Sequence, residues 1–126
     1  MSAATSHFGD LSDVEPHLIG EGVVARAVEG ERVTLALVEL APGSVVAEHA
    51  HENEQVGILV SGSLRFRIGD ENSELAAGGT WSIPAQVPHE VEAGPAGAVV
   101  VECFVPSRAD WVRLERGQPS ALRWAV

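Results

Sequence analysis

The sequence contains no lysine and no tyrosine, and all eight of its cationic side chains are arginines. Without lysine, Schiff-base chemistry and a lysine general base are excluded, and without tyrosine no phenol can act as an acid. The single cysteine, Cys103, cannot form an internal disulfide, which agrees with a reducing compartment. The first residues lack the basic and apolar regions of a signal peptide. We therefore expect a cytoplasmic protein.

The lack of long apolar runs and the lack of net positive charge limit the partners of this chain. No apolar run is long enough to span a bilayer, so we expect no membrane association through a spanning helix. The formal net charge of −10 opposes binding to phosphate backbones and anionic membranes, which requires a basic surface. We therefore expect neither a nucleic-acid nor a membrane partner.

Short apolar runs alternate with turn residues along most of the chain. Its 126 residues, with 13 glycines and 7 prolines, suit one domain of short strands and tight turns. The pattern predicts an N-terminal arm over 1–20 that could hold a short edge strand, an all-β barrel or sandwich over 21–112 and a tail over 113–126. The predicted strands are Val23–Val28, Val33–Ala41, Val45–His51, Val56–Val60, Leu64–Ile68, Thr80–Pro84, His89–Ala93 and Ala98–Val105.

Three histidines carry the clearest functional signal. His49 and His51 are two residues apart in a strand-like segment, and side chains with that spacing leave a strand on the same face. His89 follows a second strand-like segment. Neutral imidazoles bind several divalent transition metals, so we predict a three-histidine metal centre in a β-barrel. His7 and His17 lie in the arm, where we expect them to be solvated.

The spacing around these histidines forms a first motif. A glycine, Gly43, precedes His49 by five intervening residues; Gln55 follows His51 after three, and Gly62 follows Gln55 after six.

A second motif follows it in the chain. Gly78 precedes Pro84 by five intervening residues, and His89 follows in register, with Gln86 and Ala93 at two further motif positions. The two motifs in this order resemble those of the cupin superfamily, whose pattern has a carboxylate at position 55, glycine at 86 and asparagine at 93. The resemblance implies a double-stranded β-helix, or jelly-roll barrel.

The sequence leaves more than one candidate for the fourth metal ligand. The resemblance implies that Gln55 takes this place, but Glu54 and Glu52 are rivals because the loop after His51 can break the alternation of faces. A neutral amide removes one negative charge from the ligand set, so the ion stays a stronger Lewis acid toward an anionic substrate. Gln55 therefore favours polarisation of a carbonyl, carboxylate or hydroxyl over redox chemistry.

Within this superfamily, the chain resembles the small cupins that linearise unsaturated uronates released from pectin and alginate. These carry a Glu-Gln pair after His-x-His and a late motif of an acidic residue, x, Phe, x, Pro, x, Arg, x, Asp. The matching segment here runs from Glu102 to Asp110, with Glu102 in place of the usual aspartate. The resemblance implies that Glu102, Phe104 and Arg108 serve the reaction.

Several of these residues also have purely structural interpretations. Strand alternation puts Glu102 and Phe104 on one face and Cys103 on the other, but does not say which face is inside. Arg108 is either a clamp for a substrate carboxylate or a surface ion pair with Asp110. Trp81 is expected in the core. Two other tryptophans, Trp111 and Trp124, either close the barrel or line a dimer contact.

These observations lead to three functional hypotheses. The first is metal-assisted, non-redox ring opening of an unsaturated uronate, in which Arg108 pairs with the substrate carboxylate and Glu102 moves the proton. The second is an iron-dependent dioxygenase acting on a small carbonyl or aromatic compound, and the third is a non-catalytic metal- or sugar-binding module. All three imply one divalent metal (Ni, Zn, Mn or Fe). The first implies a small anionic ligand. The exposed edges of an open jelly roll favour a homodimer.

Overall fold

The computed structural model describes residues 6–122, and strands dominate this part of the chain. Each strand is antiparallel to its neighbours, so the predicted all-β class is confirmed. Two short 3-10 helices lie near the ends, at Leu11–Asp13 and Ala109–Arg113. The strands are β1 His17–Gly20, β2 Val23–Glu29, β3 Thr34–Leu40, β4 Val45–His49, β5 Glu54–Ile68, β6 Glu71–Ala76, β7 Thr80–Ile83 and β8 His89–Val105.

Two long strands, β5 and β8, form the frame of the barrel. The strand order is β1-β2-β3-β8-β5-β6, with β4 paired to β8 and β7 paired to β5. The first half of β5 pairs with the second half of β8, and the second half of β5 pairs with the first half of β8. Each long strand therefore runs through two sheets that face each other, as in a jelly-roll barrel.

Glycines permit the sharp bends at which these strands pass between sheets. The β5–β8 register shifts on both sides of Gly62, and Gly62 and Gly97 both have positive φ angles, 86° and 75°. A Cβ on Gly62 would overlap the carbonyl oxygen of Gly97. Only glycine allows both this close approach and this backbone conformation at low cost.

The bends explain how the predicted strands differ from the observed ones. The segments Val56–Val60 and Leu64–Ile68 lie on one strand, and so do His89–Ala93 and Ala98–Val105. Strand β6 has no counterpart in the prediction, because it is an edge strand whose Glu71, Ser73 and neighbouring polar side chains are exposed. An exposed edge strand does not produce the apolar alternation that identifies a half-buried strand.

The segments predicted as arm and tail pack together beside the barrel. The amide of Leu18 donates to the Glu115 carbonyl, and the amide of Gly117 donates to the Pro16 carbonyl. The tail also covers Arg26, whose guanidinium donates to the Ser120 hydroxyl at 2.8 Å. The boundaries at 20/21 and 112/113 remain predictions, but β1 belongs to the barrel sheet.

The solvated state predicted for His17 is wrong. His17 is buried because β1 and the tail enclose it, and its ring lies 5.6 Å from that of Trp111. His7 is exposed, as expected. Trp81 is in the core, against Phe66. Trp124 lies outside the described residues.

The inner faces of the two sheets form one hydrophobic core, which includes Val38, Leu59, Phe66, Ile83 and Val100. On β5, Leu64 and Phe66 point into this core while Arg65 is exposed, as expected for a half-buried strand. Among residues 6–122, no helix has the length and apolar character needed to cross a membrane.

Candidate metal centre

Three histidines converge at one end of the barrel. His49 ends β4 and pairs directly with His89, the first residue of β8, while His51 lies in the loop that follows β4. One nitrogen from each ring lies within 4.8 Å of the other two. The predicted histidine cluster is thus present, and its donor atoms are close enough together to hold one metal ion.

The backbone orients all three imidazoles in the same way. The Nδ1 atoms of His49, His51 and His89 lie 2.9 to 3.0 Å from backbone carbonyl oxygens. A carbonyl oxygen only accepts hydrogen bonds, so each Nδ1 carries a proton, and in the neutral ring Nε2 then presents a lone pair. This arrangement is typical of metal-binding histidines, in which the second ring nitrogen is held by a carbonyl or carboxylate.

The Nε2 atom of His89 shows that the cluster suits a cation. It is buried and has no hydrogen-bond partner among the described residues. Burial lowers the pKa of His89 to about 4, the carbonyl of Val87 opposing the shift. Burial also lowers the pKa of His51, with the positive charge of Arg108 as the next cause. Both rings are therefore neutral at neutral pH, as a metal ligand requires.

Gln55 points toward the same cluster. Its side chain is buried, its Nε2 donates to Glu102 Oε1 at 2.6 Å, and its Oε1 lies 3.1 Å from Nε2 of His51. Because the amide nitrogen faces the carboxylate, its oxygen must face the unprotonated nitrogen of His51. Two acceptors at this distance repel each other unless a cation lies between them, so the four residues fit a metal ion.

The two rival ligands point elsewhere. Glu52 and Glu54 are exposed, and neither belongs to the group of potential ligands in residues 6–122. Glu54 and Gln55 are adjacent on β5, so their side chains leave opposite faces. The arrangement therefore favours Gln55 as the fourth ligand, although its role remains a prediction.

Glu102 faces the cavity, which answers the question that strand alternation left open. Its Oε1 accepts hydrogen bonds from Gln55 Nε2 and from Trp81 Nε1, the latter at 3.0 Å. Burial raises the pKa of the Glu102 carboxyl, and the two hydrogen bonds and the charge of Arg108 oppose that rise. Its Oε2 makes no hydrogen bond to any residue in 6–122 and can exchange a proton with a ligand.

Arg108 is largely buried on the wall of the same cavity. Its guanidinium carbon lies 4.8 Å from the ring centres of both Phe104 and Trp111. Its Nε and Nη2 donate to the two carboxylate oxygens of Asp110, at 3.0 and 2.9 Å. The predicted ion pair with Asp110 therefore exists, but it lies at the rim of the cavity and not on a remote surface.

These side chains share a cavity of about 450 Å³ inside the barrel. Its polar lining side chains include His49, His89, Gln55, Glu102 and Arg108. Most other lining side chains are aliphatic or aromatic, and the terminal segments contribute Ile19, Trp111 and Leu114 to the wall. A small molecule with one polar or charged side fits such a cavity.

The sequence did not reveal two residues that support the centre. Asn53 is buried; its carbonyl accepts from His51 Nδ1 and its amide nitrogen donates to the carbonyls of Pro106 and Ser107. It thereby connects a histidine of the cluster to the segment that carries Arg108. Trp81 was expected only in the core, yet its indole also binds Glu102. Neither role has a sequence signal, because both depend on contacts between segments that are far apart in the chain.

Fold and cluster together define a small jelly-roll protein with a three-histidine centre open to an internal cavity. The family model described as "Cupin domain" matches residues 36–104, which is more than half of the chain. The chain therefore belongs to the cupin domain family, and the resemblance found in its sequence is confirmed.

Comparison with individual proteins supports the same assignment. The chain is 24% identical over 96 residues to the pectin degradation protein KdgF of Dickeya dadantii, which covers 75% of this chain and 87% of that protein. It is similar in structure to an RmlC-like cupin from Shewanella frigidimarina, with a TM-score of 0.78, 24% identity and coverage of 85% of this chain and 96% of that chain. For KdgF from Halomonas sp. the TM-score is 0.76, the identity 23% and the coverage 84% of this chain and 98% of that chain.

Proposed function

We propose that this cupin is a metal-dependent enzyme that opens the ring of a small unsaturated uronate by non-redox chemistry. The observation that carries the proposal is the joining of the histidine cluster to Glu102 through Gln55, with Arg108 on the same cavity wall. The late motif around Glu102 and the likeness to a pectin degradation protein support the substrate class.

His49, His51, His89 and Gln55 would hold one divalent ion, with Ni, Zn, Mn and Fe all suited to this donor set. When bound, the ion supplies Lewis acidity toward an oxygen of the substrate. The carbonyls behind the Nδ1 atoms keep the three rings in the required tautomer. Glu102 holds the amide of Gln55 with its oxygen toward the cluster.

Glu102 is the residue we assign to proton transfer. Ring opening converts the anomeric hydroxyl into an aldehyde and the enol ether into a ketone, so a proton must leave an oxygen and reach a carbon. The two oxygens of Glu102 can have different roles. Oε1 accepts hydrogen bonds from Gln55 and Trp81, and Oε2 exchanges the proton with the substrate. The pKa of the Glu102 carboxyl is raised, so it is closer to neutral pH. A pKa nearer neutral pH suits a group that must both accept and donate a proton.

Arg108 and Phe104 are assigned to substrate binding. The guanidinium of Arg108 pairs with the carboxylate of the uronate through charge-assisted hydrogen bonds. Phe104 is buried beside the cluster, with its ring 5.9 Å from that of His51, and gives the sugar ring a flat apolar surface. A small anionic ligand is thus held between the guanidinium and the metal centre.

The test follows the absorbance of the conjugated C=C of an unsaturated monouronate, which ring opening removes. The metal-loaded protein should abolish it and the metal-free protein should not. Glu102→Gln can still accept hydrogen bonds from Gln55 and Trp81 through its amide oxygen, so it should keep the metal but lose most of its rate. Glu102→Leu should lose both the rate and the orientation of Gln55, and with them part of the metal affinity.

Two results would contradict the proposal. If the metal-loaded wild type leaves the absorbance unchanged, the chain does not have this activity. If Glu102→Gln retains full activity, the proton passes through another group.

A second candidate is an iron-dependent dioxygenase acting on a small carbonyl or aromatic compound, which the apolar wall of the cavity favours. An unsaturated uronate carries several hydroxyl groups, whereas much of the lining offers them no hydrogen-bond partner. Oxygen consumption by the iron-loaded protein with an aromatic or carbonyl substrate would favour this candidate. Ligand binding with no turnover under either assay would favour a non-catalytic module.

A further inference from the structure

The Arg108 guanidinium is held by two aromatic rings and one carboxylate. Phe104 and Trp111 each have a ring centre 4.8 Å from the guanidinium carbon, and the two ring centres are 5.3 Å apart, so both rings pack against the same side of the group. Asp110 occupies the side edge, where Nε and Nη2 donate to its two oxygens. Only the terminal edge, formed by Nη1 and the second hydrogen of Nη2, lacks an acceptor among residues 6–122.

The surroundings of this edge favour an anion. Arg108 lines the cavity that also contains His49, His89 and Glu102, and its side chain is about 10% exposed while that of Asp110 is 59% exposed. The guanidinium therefore extends inward and Asp110 stays at the rim. A guanidinium edge with two N–H groups matches the two oxygens of a carboxylate.

We propose that Asp110 and Trp111 are positioning residues that fix Arg108 so that it takes a ligand carboxylate through its terminal edge. The assignment rests on the proposed function only in taking an anionic ligand as the natural one. A free arginine side chain loses much rotamer freedom on binding. Here Asp110 and the two rings have already restricted that freedom, so the anion meets a fixed pair of donors.

Trp111 has its own place in this arrangement. It follows the last residue of the late motif in the 3-10 helix Ala109–Arg113, it is buried, and it also contacts the rings of Phe104 and His17. His17 comes from β1, so the terminal segments support the ring that covers Arg108. The hydrogen bonds from Arg108 lower the pKa of the Asp110 carboxyl, so Asp110 is ionised at neutral pH.

The test measures how strongly the zinc-loaded protein prefers a carboxylate over a neutral analogue of the same shape. Calorimetry would use two ligand pairs: galacturonate with its methyl ester, and benzoate with benzamide. The wild type should prefer the anion of at least one pair. Asp110→Asn keeps the shape of the side chain but loses its charge, and should reduce that preference by about tenfold. Asp110→Glu should retain part of the preference for the carboxylate. Trp111→Leu should reduce this preference, whereas Trp111→Phe should retain most of it.

The matched control is Glu74→Gln. Glu74 forms an exposed ion pair with Arg65 at 3.4 Å, outside the cavity, so this variant removes the same charge without touching Arg108. It should leave the preference unchanged. Zinc content and melting temperature of each variant show whether the metal centre and fold are intact.

Each result has a definite meaning. An unchanged preference in Asp110→Asn overturns the assignment, and so does a stronger one, because it would show that Asp110 competes with the ligand. A wild type that prefers neither anion also overturns it. If benzoate is preferred over benzamide but galacturonate does not bind, the positioning role stands and the uronate function fails.

Discussion

At the scale of single residues, the pair Gln55 and Glu102 decides the charge of the centre. An amide in place of a carboxylate removes a negative charge from the ligands, as the sequence indicates. The structure adds that Glu102 lies one hydrogen bond behind this amide. The site therefore still contains a carboxyl group, but this group is Glu102, which can exchange a proton and does not belong to the proposed metal ligands.

Substitution of Gln55 by glutamate tests this separation of charge. We expect Gln55→Glu to bind a divalent metal at least as well as the wild type, because a carboxylate is the stronger ligand. It should bind a uronate less tightly, because the new charge opposes an anion, and its iron form should have a lower reduction potential. Isothermal titration of both proteins measures the affinity, and Glu54→Gln, on the exposed face of β5, is the control. Equal uronate affinity would place residue 55 outside the ligand set.

His89 gives a prediction on stability and pH. Burial lowers its pKa to about 4, against ~6.5 in an unfolded chain. Between these pH values only the unfolded chain binds the proton, so the free energy of unfolding falls as pH decreases through this range and is fully retained above it. The loss for metal-free protein should reach at most ~3 kcal/mol.

Urea unfolding of the metal-free protein at neutral pH and near pH 4 measures this loss, with His89→Gln for comparison. The variant should show a smaller decrease. The raised pKa of Glu102 acts in the opposite direction in both proteins, so it largely cancels in the comparison. A decrease of the same size in His89→Gln would mean that other groups cause it.

Residue spacing predicts the histidine cluster and the pair Arg108–Asp110, but it does not predict the contact between Glu102 and Trp81. The histidine cluster depends on two local motifs, and the pair Arg108–Asp110 on two positions in one segment. The contact between Glu102 and Trp81 depends on how β7 and β8 flank β5, since Gly57 pairs with both residues. Strand register of this kind is a property of the folded sheet, so the role of Trp81 had no signal in the sequence.

At the scale of elements, β5 carries the glycine that lets Trp81 reach Glu102. A Cβ on Gly57 would overlap the Trp81 indole. We expect Gly57→Ala to lower the free energy of unfolding by ~1–3 kcal/mol, a typical cost of overpacking, and to move the indole away from Glu102. Chemical denaturation and tryptophan fluorescence measure the two effects. Gly20→Ala, in β1, is the control because a Cβ there meets no atom within 4 Å; equal costs in both variants would contradict this explanation.

The elements also show where sequence patterns mislead. Ser61-Gly62 and the segment Gly94–Gly97 were predicted as breaks between strands, but they are bends within β5 and β8. Glycine permits both a turn and a bend, so composition does not separate the two cases. The choice depends on long-range pairing, which continues on both sides of each bend.

At the scale of the whole molecule, one outer sheet face is apolar. Neighbouring strands β3, β8 and β5 place Leu35, Val56, Ile58, Val60 and Val105 there, each 37–48% exposed. Exposed apolar patches of this kind favour association. We expect the homodimer to form through this face. Light scattering should give about twice the chain mass of 13.2 kDa.

Ile58→Arg should convert this dimer to a monomer. Val112→Arg should not, because Val112 is exposed on the 3-10 helix and not on the strands that form the apolar face. A wild type of monomer mass, or an Ile58→Arg variant that remains dimeric, would contradict the proposed interface.

In the proposed metal centre, His49, His51, His89 and Gln55 hold one metal ion. Anomalous diffraction at the zinc edge, from crystals grown with zinc, tests it most directly. We expect one strong peak per chain, about 2.0–2.2 Å from Nε2 of each histidine and from Oε1 of Gln55. Absence of a peak in the cluster, or a peak bound by the histidines with Gln55 turned away, would contradict it.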